Sequence, residues 1–141
     1  MANSTTEKSK TPPVTPEQPL TTMSIVAPVA GWLIPGAGHL ILKRWGRGVL
    51  LMASIVTLYL LGLAMQGHVY KPNGGDILDM LGFVGNVGAG LLYILSRIND
   101  WGPGAIAHAT ADYGTKFLIV AGLLNFIAAA DAYHIAIGKK P

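Results

Sequence analysis

The chain has 141 residues, 51% of them apolar and 12% charged, with 10 Lys and Arg against 7 Asp and Glu. That balance, with a mean hydropathy of +0.46, is not how a water-soluble domain of this size is built. The absence of cysteine excludes disulfides, thiolate nucleophiles and Cys-ligated metal centres. The net charge of +3 does not point to nucleic acid, because the tightest basic group, Lys43-Arg44-Trp45-Gly46-Arg47, is wedged between two apolar runs rather than spread over a solvated face.

Residues 1–22 are rich in Ser, Thr and Pro and carry almost nothing to bury, so they are expected to form a disordered polar tail. The remainder, 23–138, is expected to be an all-α integral membrane bundle of four apolar segments. The first, 24–42, holds no charge and as a straight helix would reach about 28 Å, close to the hydrocarbon thickness. Pro35 falls in its middle, followed by Gly36 and Gly38, so a kink or a break into two short helices is expected there. The second segment, 48–65, is the cleanest span. The third, 77–96, is glycine-rich, and the fourth, 116–137, contains Asn125, Asp131 and His134. Helix is expected for both, because in lipid the backbone must satisfy itself within its own segment.

Lys71-Pro72-Asn73-Gly74-Gly75 marks a turn between the second and third segments, and Asn99 to Gly104 breaks the chain after the third. The alanine-rich stretch 105–114 is expected to be a short interfacial helix. Lys43, Arg44 and Arg47 read as a membrane-edge anchor, and the Trp and Tyr residues fall mostly near span ends. If all four segments cross, Lys139 and Lys140 face away from that anchor and the basic residues divide equally between the two sides.

The motif Pro35-Gly36-Ala37-Gly38-His39 lacks the preceding strand and the Lys-Ser/Thr ending of a phosphate loop, and reads as a structural break. The order of apolar helix, Pro-Gly-x-Gly-His turn, basic stretch and glycine-led apolar helix resembles a group of small bacterial membrane proteins assigned to a domain of unknown function. The likeness extends to Gly122-Leu123-Leu124-Asn125-Phe126 and Asp131-Ala132-Tyr133. More distantly, the first helix pair is similar to the TM-two domain proteins, whose Phe-Tyr after the His is Leu40-Ile41 here. The nearer resemblance implies a multi-pass protein of a bacterial inner membrane without an assigned activity.

Gly82, Gly85, Asn86, Ala89 and Gly90 place small residues three and four apart on the third segment, and on the fourth Ala121, Gly122, Asn125, Ala128, Ala129 and Ala132 fall within about 60° of Asn125. These stripes are expected to pack together, with Asn86 and Asn125 paired across them. Asp131 and His134, about 60° apart on another face, are candidates for a polar relay. Asp76 and Asp79 suit the first turn of a helix, and His108 with Asp112 is spaced i, i+4 without the further ligands a metal would need.

No catalytic set emerges, so the sequence is read as a non-enzymatic membrane component without cofactor or metal. It would pack against itself or a larger membrane complex through its Gly, Ala and Asn faces. A transport or proton-coupled subunit using Asp131 and His134 is the alternative. An enzymatic reading would need a metal held by histidines among His39, His68, His108 and His134.

Overall fold

The computed structural model of the protein describes residues 21–72, 75–102 and 109–140. Six α-helices are present among them: α1 Thr22–Leu33, α2 Ala37–Ile41, α3 Trp45–Ala64, α4 Ile77–Val87, α5 Leu91–Ile98 and α6 Ala111–Ala136. Most of the tail, residues 1–20, lies outside the described residues, and so does the front of the expected interfacial helix. The end of that stretch is not a separate element, since Ala111 to Gly114 form the first turn of α6.

Two helices are long and apolar enough to cross a membrane, α3 with 20 residues and α6 with 26. At about 1.5 Å per residue they reach roughly 30 and 39 Å, against about 30 Å of hydrocarbon. They run antiparallel. Arg47 near the start of α3 lies beside Asp131 near the end of α6, while Gly62 near the end of α3 sits against Gly114 and Leu118 near the start of α6. The end holding Arg47 and Asp131 is called the basic end below, and the other the far end.

The first apolar segment breaks where Pro35 and Gly36 were expected to break it, over residues 34–36. Proline cannot donate to the helix ladder. Gly36 then adopts a left-handed φ of 80°, and a Cβ there would collide with the Gly48 carbonyl. The chain does not go on across the bundle after this break. α1 enters at the basic end and reaches the middle of α6, where the Trp32 carbonyl accepts from the Asn125 side chain at 2.8 Å. α2 then folds back, with Gly38 against the Ala27 carbonyl and Ala132, and His39 returns to the level of Asp131.

The third segment departs from the sequence expectation of one helix. It divides into α4 and α5, bent by 112° at Gly88–Gly90. Gly90 has φ 59° and ψ −118°, a conformation open to glycine alone, and a Cβ there would collide with the Trp32 carbonyl. α4 starts at the far end, with Asp76 accepting from the Leu78 N–H as its cap. It reaches the middle of α6 at Gly88. α5 then heads back to the far end, where Tyr93 donates to the Tyr70 carbonyl and Tyr59 of α3 donates to Ser96.

The bundle therefore has two full-length helices and two broken hairpins, one entering from each end, whose tips meet at Asn125. Its interior is small and partly polar, with Gly, Ala, Asn86, Asn125, Ser24 and Ser96 buried around Ile55, Tyr59 and Leu118. Large apolar side chains such as Ile25, Leu50, Ile77, Leu78, Leu81 and Ile127 point outward. Close packing through small residues with an oily exterior is the arrangement lipid favours.

Candidate functional site

Two polar constellations lie inside this frame. The first is at the basic end. His39, 1% exposed, bonds through Nε2 to the Asp131 carboxylate at 3.0 Å. Lys140 donates to the other carboxylate oxygen at 2.7 Å, and the Arg47 guanidinium stands 3.9 Å away. Asp131 is the meeting point of α2, α3 and the residues beyond α6 because the first hairpin folds back on α6. A partner 92 positions away in sequence has no local signal.

The expected Asp131–His134 relay is not what the fold assembles. His134 bonds through Nδ1 to the Ala130 carbonyl one turn back at 2.9 Å, and its ring stands edge-on to Tyr133. The carboxylate is taken instead by the buried imidazole and by Lys140. Lys43 and Arg44 occupy the tight exposed turn between α2 and α3, with Lys43 in a left-handed conformation and Arg44 at the N-cap of α3, and Arg47 is exposed in the first turn of α3.

The second constellation is the junction of the hairpin tips. Asn125 Nδ2 donates both to the Trp32 carbonyl at 2.8 Å and to the Gly88 carbonyl at 2.9 Å, and Trp32 Nε1 donates to the Val87 carbonyl at 3.1 Å. Breaking a helix in lipid orphans carbonyls that must be satisfied by side chains. Asn125 does that for both hairpins at once. The expected Asn86–Asn125 bond is not formed, although the Asn125 Oδ1 is left over by these bonds. Among the described residues, neither side-chain polar atom of Asn86, 0% exposed, has a hydrogen-bond partner, and neither has Asn125 Oδ1.

The small-residue stripes meet each other within the chain. Gly82 lies under the Tyr70 ring, Gly85 against Ile119, and the Gly85 carbonyl occupies the place a Gly122 side chain would need. Ala89 is fully buried and Ala129 sits near Gly31. Among the described residues no three His, Cys, Asp or Glu side chains gather as metal ligands, and His108 lies outside them.

Sequence reasoning missed Trp32, the Tyr59–Ser96 bond and the second break. A signal for the break was present. Gly36 closes the first break just ahead of the short α2, and Gly88-Ala89-Gly90 forms the second just ahead of the short α5, each followed by a long helix.

These features define a class, the small all-helical multi-pass membrane protein: two helices can cross, or three if α4 and α5 count as one bent span. Within that class the chain belongs to DUF6677, a family of unknown function whose match covers residues 26–141. No curated protein and no solved structure matches it.

Proposed function

We propose that this chain is a non-enzymatic subunit of a membrane permeation or transport system, resident in a bacterial inner membrane, with its path at the junction of the two hairpins. The observation that supports this reading is the pair of apolar segments, broken at 34–36 and at 88–90, that enter from opposite ends and meet at mid-depth. Discontinuous helices in corresponding positions of two inverted halves are the usual construction of a substrate or ion site near the bilayer midplane. The unpartnered amide of Asn86 and the Oδ1 of Asn125 supply polar atoms there, at a depth where polar groups are costly without a role. Asp131 and His39 form the polar entrance at the basic end.

With two full-length helices per chain, the working unit is a homo-oligomer or a larger membrane complex. A purely structural role through the Gly, Ala and Asn faces is the weaker reading, because those faces are consumed in closing the chain on itself. Kinship to the TM-two domain proteins would cover the first hairpin and α3 only and brings no activity with it.

The test is flux through proteoliposomes containing the full chain, followed with a trapped pH dye and by light scattering after an osmotic step. Permeation above protein-free vesicles that falls in Asn86→Leu supports the proposal. Permeation equal to that of empty vesicles for protons, water and small neutral solutes sinks it.

A further inference from the structure

A groove of about 860 Å³ runs between α4 and α6 from the far end toward the middle of the bundle. It is unrelated to the hairpin junction and needs no transport activity. Its lining changes character along its length. Asp79 in the first turn of α4 and Asp112 and Lys116 in the first two turns of α6 stand toward the far-end mouth beside His68, Tyr70 and Leu78, whereas Val84, Ile119 and Leu123 line the inner part. From Asp112 to Leu123 the wall follows α6 for roughly 16 Å at about 1.5 Å per residue. One leaflet of hydrocarbon is about 15 Å deep, half of the roughly 30 Å core.

The charges at the mouth are mixed. Among the described residues, no ion pair involves Asp79, Asp112 or Lys116. The Lys116 ammonium stands over the Tyr113 ring, 5.4 Å from its centre. Because α6 is longer than the hydrocarbon is thick, its first turns reach the headgroup layer. A single cation beside two carboxylates, set over an apolar channel one leaflet deep, is complementary to a headgroup carrying both a phosphate and a primary ammonium.

We infer that this groove is a binding site for an aminophospholipid of the phosphatidylethanolamine type. Lys116 receives the phosphate, Asp79 and Asp112 accept hydrogen bonds from the ammonium, and one acyl chain lies along Val84, Ile119 and Leu123. The ammonium is what sets the selectivity. A quaternary choline headgroup keeps the charge but has no N–H to donate, and a phosphatidylglycerol headgroup brings net negative charge against two carboxylates.

Native mass spectrometry of the full chain, released from mild detergent with equimolar phosphatidylethanolamine, phosphatidylcholine and phosphatidylglycerol, reads this directly. The expected result is one retained lipid per chain, with phosphatidylethanolamine favoured over phosphatidylcholine about tenfold, the ratio that corresponds to roughly 1.4 kcal/mol. Stepwise N-methylation of the lipid should erode that preference in the wild-type protein, with no dependence on how a variant folds. Asp79→Asn with Asp112→Asn should bring the ratio close to one while a lipid is still retained, and Leu123→Trp should block retention. Equal retention of the three lipids by the wild-type chain, or a preference indifferent to N-methylation, overturns the assignment.

Discussion

His39 is the residue whose environment differs most from its sequence context. It sits in a glycine-rich break, yet it is almost wholly buried and held by Asp131. Removing one partner of a buried hydrogen bond leaves the other desolvated, at a cost of about 1–3 kcal/mol. Asp131→Leu is therefore expected to lower the thermal midpoint in detergent clearly, and Asp131→Asn, which keeps an acceptor for the imidazole, to lower it less. Equal effects would show that the bond to His39 carries none of the stability. The two buried asparagines should behave in opposite ways. Asn125→Leu strands the Trp32 and Gly88 carbonyls and should destabilise by about 0.6 kcal/mol per lost bond, up to roughly 2. Asn86→Leu removes an amide with no partner and is expected to be neutral or stabilising in the same melting assay. The contrast separates an asparagine that holds the fold from one kept for another reason.

At the scale of the element, contact between α4 and α6 depends on backbone approaching backbone. Gly122→Ala places a methyl on the Gly85 carbonyl and should cost about 1–3 kcal/mol, read as a lowered thermal midpoint and faster amide exchange in α4. Gly46→Ala, also in a helix but with nothing nearby, should be neutral or stabilising by up to about 1 kcal/mol. Similar losses for both would mean that helix propensity, not the close approach, dominates. The stripes themselves were legible: α4 buries Gly82, Gly85 and Asn86 while Leu81 and Val84 stay outside, as helical spacing dictates. The second break was harder to see. Gly88 and Gly90 serve a close-packing stripe and a chain reversal equally well in a linear pattern, and only the contact with Trp32 distinguishes the two uses.

For the whole molecule, the return of each hairpin to its own side changes which charges share a membrane face. Lys139 and Lys140 join Lys43, Arg44 and Arg47 at the basic end, with Asp131 the acid among them. The far end carries Lys71, Arg97 and Lys116 beside Asp76, Asp79, Asp100 and Asp112. The equal division of basic residues expected for four crossings disappears, and the positive-inside rule predicts a cytoplasmic basic end. Reporter domains fused before Thr21 and after Lys140 should both report cytoplasm, and one inserted at 71–72 should report the opposite face. Termini on opposite sides would contradict the hairpin topology.

Local chemistry was enough to determine that these segments are helical, that they are apolar enough to face lipid, where the small residues lie, and that Pro35 interrupts the first of them. Hydropathy and periodicity record the environment of a segment, and that environment is the same for a helix that crosses the bilayer and for one that turns back halfway. Tertiary contacts alone decided the direction taken after Gly36 and Gly90, the pairing of His39 with Asp131, and the sharing of Asn125 between two hairpins. Each depends on groups far apart in the chain that meet only when the carbonyls freed by a broken helix find the nearest donor.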